Sequence, residues 1–321
     1  MSKIKSIFLK IAIGILKILY AIIKCFPTTN KVTFISRQSN TITIDFMLLE
    51  EELNKQCPDI KTVILTKKLE SKLAYIFHMF KQMYHIATSK AVVLDSYCII
   101  ISLLKHKKNL KVIQIWHSVG CMKKFGYAMI DKPEGTKAQI AKIMKMHHNY
   151  DRVCISAFSF INDFLEGFRV PKEKIHEAPL PRVDRLLDEK YKEAKRKELY
   201  KRIPELQEKK NILYCSTFRK TGQNNGENLT NLIKEIDFEK YNLLYKPHPL
   251  NTIKCQDERV ICDFTSTYEA LMVADYVICD YSSIIYEVGL LNIPIYLYAY
   301  DWEEYRTKRE LNLDIEHDTG L

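Results

Sequence analysis

The chain lacks the short motifs by which many enzymes hold a metal ion or a nucleotide cofactor. It contains no CxxC pair, no GxGxxG, no Walker loop, no DxD pair and no HxxxH pair. These absences argue against a zinc site, a P-loop and a dinucleotide-binding fingerprint, so neither a metal nor a cofactor is expected. Its nine cysteines are odd in number and lie mostly in apolar segments, which predicts reduced thiols rather than a disulfide framework.

Internal repeats, low-complexity tracts and long Gly/Ser linkers are also absent from the sequence. With 47% apolar and 27% charged residues, the composition excludes disordered, fibrous and polytopic membrane proteins. A length of 321 residues predicts about two domains. The formal charge of +10 favours an anionic partner, which could be a phosphorylated substrate, a membrane surface or nucleic acid. Nucleic acid is not expected, since the lysines are scattered and no nucleic-acid-binding module is recognisable.

Residues 1–26 contain no Asp or Glu and five lysines. Most of the other residues are apolar, and four of the lysines are seven positions apart, so that they form one stripe along a helix: Lys3, Lys10, Lys17 and Lys24. This pattern predicts an amphipathic helix that lies in the plane of a membrane, with the lysines facing lipid phosphates. A span formed by Ser6–Ile23, or a helix that packs on its own protein or on a partner, remains an alternative.

Beyond Pro27 the sequence alternates between short apolar runs and helical segments. Such alternation predicts an α/β fold with parallel sheets covered on both faces. The pattern is interrupted by the Pro-containing turn 178–182 and then restarts, which predicts domains at 27–185 and 186–321 with a cleft between them. The strands are predicted at 31–36, 62–65, 91–94, 112–116, 152–155, 211–215, 242–245, 260–263, 276–279 and 295–298.

Four polar segments follow predicted strands, at the sheet edge where α/β proteins bind ligands. His117 comes after the strand 112–116, where a neutral imidazole could accept a proton from a hydroxyl. Glycines and lysines follow it and could approach a phosphate: Gly120, Lys123 and Lys124. A single histidine at the end of a strand more often has a structural role. The His117 segment therefore indicates a functional site only in combination with the other three segments.

The other three segments also suit phosphate binding. In Lys246-Pro247-His248-Pro249 the two prolines stiffen the backbone on either side of the histidine. Ser282 and Ser283 open a predicted helix, whose N-terminal N–H groups favour anions. Arg219, four residues beyond the strand 211–215, could grip a diphosphate with two hydrogen bonds. His147 and His148 fall late in a lysine-rich helix predicted at 136–148 and are interpreted as surface residues.

The order and spacing of these motifs resemble the CDP-glycerol:poly(glycerophosphate) glycerophosphotransferase family over about residues 112–313. The motifs are Trp116-His117-Ser118, Lys123-Lys124-Phe125-Gly126, Pro181-Arg182-Val183-Asp184, Ser216-Thr217-Phe218-Arg219, Lys246-Pro247-His248-Pro249 and Asp280-Tyr281-Ser282-Ser283. The chain departs from the family in reading His117-Ser118-Val119 where many members have His-Gly-Thr. It also has Ser216 where proline usually precedes Thr-Phe-Arg.

The resemblance implies a GT-B fold, in which two Rossmann-like domains face a cleft. It implies a transferase that uses CDP-glycerol or CDP-ribitol, builds teichoic-acid-like or capsule polymers, and acts on a lipid-linked saccharide or polyol-phosphate acceptor at the cytoplasmic face of a bacterial membrane. The implied catalytic residues are His117 as base and His248 at the donor phosphates. Further donor contacts are implied for Lys246, Arg219, Thr217, Asp280, Ser282 and Ser283, and an acceptor side for Ser118, Gly120, Lys123 and Lys124.

Two other functions are also compatible with the sequence. A GT-B glycosyltransferase with a nucleotide-sugar donor would need an acidic residue near the donor diphosphate, and Glu287 could serve. A non-catalytic, membrane-associated protein that binds polyanions would use the same sheets as a scaffold. The first alternative predicts sugar transfer and the second predicts binding without turnover.

Overall fold

A computed structural model of the chain describes residues 3–217, 225–246 and 257–318. The residues that lie close together in space form two compact units. The first unit comprises Met1–Arg182 together with Lys308–Asp314, and the second comprises Val183–Thr307 together with Ile315–Leu321. Each unit is built around its own parallel sheet.

The first unit begins with the long helix α1 and then alternates strands with helices. Its strands are β1 (Lys31–Ser36), β2 (Lys61–Thr66), β3 (Ala91–Leu94), β4 (Lys111–Gln114), β5 (Arg152–Ile155) and β6 (Ile175–Glu177). Its helices are α1 (Lys3–Ile23), α2 (Ile44–Gln56), α3 (Lys72–Thr88), α4 (Ile99–Leu103), α5 (Ala138–Ile143) and α6 (Ile161–Phe168), and α7 (Pro181–Leu187) leads into the second unit. The strands lie in the order β2-β1-β3-β4-β5-β6, and all neighbours are parallel.

The second unit repeats the alternation on a smaller scale. Its strands are β7 (Lys210–Cys215), β8 (Tyr241–Tyr245), β9 (Val260–Ile261), β10 (Tyr276–Cys279) and β11 (Ile295–Leu297), in the parallel order β11-β10-β7-β8-β9. Its helices are α8 (Glu189–Arg202), α9 (Asn225–Glu235), α10 (Thr267–Leu271), α11 (Ile284–Leu290), α12 (Trp302–Lys308) and α13 (Ile315–Asp318). The central strands are apolar and buried, as expected for a sheet covered on both faces.

Helix α1 packs one face against the first unit and leaves the opposite face exposed. Ile13 and Tyr20 belong to the hydrophobic core of that unit, and Tyr20 is only 1% exposed. The Tyr20 hydroxyl also makes a 2.7 Å hydrogen bond with Nδ1 of His106. Lys24 donates to the carbonyl of Lys105 at 2.8 Å, so the end of α1 is tied to the domain by polar contacts as well.

The predicted α/β class is confirmed, because both sheets are parallel and strands alternate with helices. The strand predicted at 112–116 ends two residues early, at Gln114, so Trp116 and His117 belong to the loop that follows. Strand β6 was not predicted, since only three residues pair there. Among the described cysteines, Cys98, Cys121, Cys215 and Cys279 are free and buried.

The prediction that His147 lies on the surface is wrong. The helix expected at 136–148 stops at Ile143, and positive φ angles at Lys145 and His147 turn the chain inward. His147 is 6% exposed, its ring lies 4.6 Å from that of Phe168, and its Nδ1 is 3.0 Å from the hydroxyl of Tyr150. His148 is exposed, as predicted.

The buried His147 should make stability depend on pH. Burial lowers the pKa of His147 to about 3, below its ordinary value of about 6.5. Between these values the unfolded chain binds a proton that the folded chain does not, so the stabilisation is complete above pH ~6.5 and is lost as pH falls toward ~3. We expect His147→Gln to reduce the fall in unfolding free energy between pH ~7 and ~4.5 by about 2–3 kcal/mol.

Urea unfolding at the two pH values measures this difference. His148→Gln is the matched control, because His148 is exposed, and it should leave the pH dependence unchanged. An identical pH dependence for wild type and His147→Gln would contradict the assignment of His147 as a buried neutral imidazole.

Candidate functional site

His117 lies in the loop after β4, at the carboxyl edge of the first sheet. Its Nδ1 is 3.0 Å from the backbone carbonyl oxygen of Asp95, which follows the neighbouring strand β3. A carbonyl oxygen can only accept a hydrogen bond, so Nδ1 carries the proton and Nε2 keeps its lone pair. The ring is therefore fixed in the tautomer that can act as a base through Nε2.

The electrostatic surroundings keep His117 neutral. Burial lowers the pKa of His117 to about 4, and the positive charge of Arg182 acts in the same direction. The hydrogen bond to Asp95 and the charge of Asp45 oppose this shift without cancelling it. At neutral pH the imidazole is unprotonated and ready to accept a proton.

A buried ion pair lies close to His117. The backbone N–H and Nε of Arg182 each donate to Asp45 Oδ1 at 3.1 Å, and Nε also lies 2.9 Å from Oδ2. Nη2 of Arg182 contacts Oδ2 as well, which makes the pair bidentate. Asp45 is 1% exposed and Arg182 is 8% exposed, so the motif that contains Arg182 supplies a buried ion pair between α2 and α7.

Aromatic packing and backbone strain fix the loop that carries His117. Trp116 adopts a left-handed conformation with φ 65°, which is unfavourable for a residue with a bulky side chain. Its ring lies 4.2 Å from that of His117 and 4.3 Å from that of Phe125. Gly126 has φ 57°, and a Cβ there would come within 2.2 Å of the Gly167 carbonyl oxygen, so glycine is required at this motif position.

The predicted acceptor-side residues differ in their surroundings. The Ser118 hydroxyl is buried and has no hydrogen-bond partner among the described residues, and Gly120 is buried. Lys123 pairs through its backbone with Leu311, in the segment that returns from the C-terminal part of the chain. Lys124 lies 3.7 Å from Glu166 and 3.6 Å from Glu310, so two carboxylates offset its charge.

In the second unit, three predicted donor-binding segments follow three adjacent strands. Thr217 comes after β7, Lys246 directly follows β8, and Asp280 directly follows β10, while the sheet order is β10-β7-β8. Their carboxyl ends therefore meet at one edge of the sheet, where α/β proteins bind ligands. Ser282 and Ser283 continue the third segment into α11.

The contacts at this edge separate residues that hold the loops from residues that can bind phosphate. Asp280 is 1% exposed and accepts hydrogen bonds from the Thr217 backbone N–H at 3.0 Å and from its hydroxyl at 2.5 Å. A buried carboxylate with these partners fixes the loop after β7, whereas it would repel a diphosphate directly. Lys246 is half-buried, and its Nζ donates to the carbonyl of Phe264 at 2.5 Å.

Two predicted site residues, His248 and Arg219, lie outside the described residues. The side chain of Lys3 is likewise outside the description, whereas Lys10 and Lys17 are exposed on α1. Within residues 3–217, 225–246 and 257–318, no group of three or more His, Cys, Asp or Glu side chains could hold a metal ion.

Asp45, Asp95 and Gln114 were not predicted as site residues from the sequence. Gln114 is fully buried, donates to the Ser96 carbonyl at 3.2 Å, and accepts from the Trp116 N–H at 2.9 Å. It therefore connects the chain segments that follow β3 and β4. A polar residue at the end of an apolar strand was the available signal for Gln114 and Asp95, but Asp45 pairs with a residue 137 positions away.

Similar proteins were found among characterised relatives and solved structures. The chain is 30% identical over 301 residues to a teichoic acid ribitol-phosphate primase of Bacillus spizizenii, covering 89% of this chain and 77% of the relative. It is 33% identical over 245 residues to a teichoic acid glycerol-phosphate primase of Bacillus subtilis, covering 73% of this chain and 62% of the relative. A structure of the wall teichoic acid polymerase TagF superimposes with a TM-score of 0.75 at 19% identity, covering 99% of this chain and 85% of that chain.

The likeness to TagF and the two parallel sheets confirm the predicted α/β fold class. The predicted enzyme class is confirmed as well, because the relatives are glycerol-phosphate and ribitol-phosphate primases. The family model described as CDP-Glycerol:Poly(glycerophosphate) glycerophosphotransferase matches residues 18–319, which is nearly the whole chain. The chain therefore belongs to the CDP-glycerol:poly(glycerophosphate) glycerophosphotransferase family.

Proposed function

We propose that this chain transfers glycerol phosphate or ribitol phosphate from a CDP-alditol to a hydroxyl of a lipid-linked teichoic-acid acceptor. The acceptor oxygen forms a bond to the β-phosphorus while the bond from that phosphorus to the bridging diphosphate oxygen breaks. CMP leaves, and the acceptor gains one phosphodiester. The hydroxyl proton passes to Nε2 of His117 and from there to solvent.

The contact between His117 Nδ1 and the Asp95 carbonyl oxygen is the observation that carries this proposal. Nδ1 donates to this carbonyl, and the low pKa of His117 leaves Nε2 unprotonated at neutral pH. A strained, aromatic-packed loop holds the ring at the sheet edge. Such a fixed base is what activation of an alcohol requires, because positioning contributes much of the rate in phosphoryl transfer.

We assign the donor to the second unit and the acceptor to the first. The edge after β10, β7 and β8 offers the Lys246 ammonium and the hydroxyls of Ser282 and Ser283 to a diphosphate. Arg219 and His248 complete the proposed donor side, with His248 at the phosphates. Asp280 acts indirectly, by fixing Thr217, which lies two positions before Arg219 in the sequence.

Family membership favours phosphotransfer over the two alternative functions. Glu287, which would serve a nucleotide-sugar glycosyltransferase, is 3% exposed and accepts a 3.0 Å hydrogen bond from the Tyr268 hydroxyl. These contacts support a structural role for Glu287. The binding of polyanions without catalysis does not require a neutral imidazole that is held in one tautomer.

The mass of the acceptor tests the proposed reaction. The purified chain is incubated with CDP-glycerol or with CDP-ribitol and a lipid-linked acceptor extract. We expect the acceptor mass to rise by one or more alditol-phosphate units with one of the two donors. Transfer of a sugar from a nucleotide-sugar, with an unchanged mass in both CDP-alditol reactions, would contradict the proposal.

We also propose that the protein is peripheral to the cytoplasmic face of a bacterial membrane and docks through α1 and α3. Helix α1 includes Ser6–Ile23, which is long and apolar enough to span a bilayer, with mean hydropathy 2.2. One face of α1, however, packs on the first unit through Ile13 and Tyr20. This packing favours a position of the helix in the plane of the membrane. The large apolar side chains exposed on these two helices are Ile7, Phe8, Ile11, Ile15, Ile18 and Ile22 on α1, and Leu73, Ile76, Phe77, Phe80 and Tyr84 on α3.

Helices α1 and α3 pack against each other, so their exposed residues extend one apolar surface. At the end of this surface the rings of Phe26 and Tyr84 lie 5.9 Å apart. Lys10 and Lys17 are exposed between the buried and apolar faces of α1, where their ammonium groups can reach lipid phosphates. Lys24 is half-buried and contacts the domain instead.

Vesicle flotation tests this docking surface. We expect wild-type protein to float with anionic vesicles, and the double variant Ile15→Asp/Phe77→Asp to lose about tenfold or more in binding, because two charges would enter the apolar layer. Phe158→Asp is the matched control, since Phe158 is exposed elsewhere on the first unit and should tolerate the change. Protein that stays in membranes after alkaline carbonate extraction would contradict the peripheral position and favour a span.

A further inference from the structure

Arg37 follows β1 at the same sheet edge as His117 and differs from the neighbouring cations in its surroundings. Arg182 is paired with Asp45, and Lys124 lies between two carboxylates. In the described part of the chain, no carboxylate lies within salt-bridge distance of the Arg37 guanidinium. Its positive charge is therefore not offset by the protein there.

The guanidinium of Arg37 is nevertheless held in a defined position. Nη1 donates to the Tyr97 carbonyl at 3.1 Å, and the backbone N–H donates to the Ser96 hydroxyl at 3.0 Å. The central guanidinium carbon lies 5.6 Å from the ring centre of Tyr75 and 5.9 Å from that of Tyr97. Two tyrosine rings thus flank a half-buried arginine, which limits the side-chain entropy that ligand binding would cost.

Polar atoms around Arg37 are buried without hydrogen-bond partners among the described residues. They are Nε of Arg37, the hydroxyls of Tyr75 and Tyr97, and Nε2 of Gln82; the Gln82 side chain faces the Tyr75 hydroxyl, and the Ser102 side chain faces that of Tyr97. Tyr75 is 2% exposed and Gln82 is fully buried, and both lie on one face of α3. Buried polar groups are normally hydrogen-bonded, so a cluster of this kind beside a cation points to a ligand that brings acceptor oxygens.

The position of Arg37 relates it to the acceptor rather than to the donor. In the first sheet β3 lies between β1 and β4, so the strand ends that carry Arg37 and His117 are about 10 Å apart by ordinary strand spacing. A sugar that carries a phosphate, or a ribitol phosphate, has a comparable length. Helix α3 presents Tyr75 and Gln82 toward the core, while its opposite face carries Ile76, Phe77 and Phe80, which belong to the exposed apolar surface.

We propose that Arg37, held between Tyr75 and Tyr97, binds a phosphate of the lipid-linked acceptor and so presents the acceptor hydroxyl to His117. This assignment rests on the proposed function. The ligand class is a phosphomonoester, phosphodiester or diphosphate attached to an apolar chain. Arg37 is the cation, and the tyrosines are positioning residues that keep its guanidinium in place.

Steady-state kinetics with Arg37→Gln separates acceptor from donor. We expect the acceptor KM to rise about 10- to 100-fold, in line with the loss of charge-assisted hydrogen bonds, while the KM for the CDP-alditol stays unchanged. Arg37→Lys keeps the positive charge but lacks the planar guanidinium group. Its acceptor KM should lie between those of wild type and Arg37→Gln. Arg152→Gln is the matched control, because Arg152 is exposed at the opposite end of the same sheet, and it should behave as wild type.

A binding measurement keeps the proposal testable even without turnover. A short-chain alkyl diphosphate, titrated by calorimetry, should bind to wild type and to Arg152→Gln but bind at least tenfold more weakly to Arg37→Gln. Anionic-vesicle flotation should be the same for all three proteins, because Arg37 serves the acceptor and not the bulk lipid. Thermal unfolding confirms that each variant is folded.

The outcomes distinguish this proposal from the proposed function. No transfer by wild type, with Arg37-dependent binding of the alkyl diphosphate, would overturn the reaction and leave the phosphate site. Normal transfer with an unchanged acceptor KM in Arg37→Gln would overturn the site and leave the reaction. A raised donor KM, or a loss of vesicle flotation in place of acceptor binding, would also overturn the site.

Discussion

Replacing His117 with asparagine is expected to lower the rate of alditol-phosphate transfer by about 10²–10⁴-fold, the usual contribution of a general base. Asparagine has a similar size and can still donate to the Asp95 carbonyl, but it has no basic nitrogen in place of Nε2. The affinity for CDP-glycerol or CDP-ribitol should be unchanged, because His117 belongs to the first unit and we propose that the donor binds to the second. Single-turnover rates and equilibrium binding of the donor measure the two quantities separately.

His148→Asn is the matched control for this prediction. His148 is exposed, so its replacement should leave both the transfer rate and donor binding at wild-type values. A transfer rate of His117→Asn within a few-fold of wild type would contradict the assignment of the base. Loss of donor binding by His117→Asn would instead indicate that His117 contacts the donor.

Replacing Asp45 with alanine is expected to destabilise the protein by about 3–5 kcal/mol, the largest stability effect that we predict. The substitution leaves the Arg182 guanidinium buried without the carboxylate that accepts its hydrogen bonds. A buried charge without its partner costs far more than an exposed one, since desolvation is no longer offset. Urea unfolding at neutral pH measures the change in the free energy of unfolding.

Two further variants define the cause of this loss. The double variant Asp45→Leu/Arg182→Met removes both charges and should recover much of the lost stability. Glu193→Ala breaks the exposed pair of Glu193 with Lys197 and should cost less than about 1 kcal/mol. If Asp45→Ala were as stable as Glu193→Ala, the pair would not be the buried tie between α2 and α7 that its geometry indicates.

Much of the fold follows from local patterns in the sequence. The apolar runs that became β1, β3, β7 and β10 lie close to their predicted bounds, because a strand buried on both faces needs a continuous apolar segment. The short strand β6 gave no such signal, since it pairs over three residues only. The surface position predicted for His147 was wrong because helical periodicity does not reveal the positive φ angles that follow the early end of the helix.

The site residues that directly follow strands could be predicted from the sequence. Those whose partners are distant in the chain could not. Thr217, Lys246 and Asp280 could be assigned to a sheet edge from sequence, yet only the strand order β10-β7-β8 makes them neighbours. The contact of Asp280 with Thr217 could not be predicted either, because the two residues are 63 positions apart in the chain. Arg37 and Asp45 carry no local motif, because their roles depend on residues that are distant in the chain.

CMP release by the wild-type protein tests the proposed transfer most directly. CDP-glycerol and CDP-ribitol are supplied in turn, with and without the lipid-linked acceptor, and the initial rate of CMP formation is measured. We expect CMP from one of the two donors, formed only when the acceptor is present and in equal amount to the alditol phosphate gained by the acceptor. CMP formed equally without acceptor, or none from either donor with folded protein, would contradict the proposed transfer.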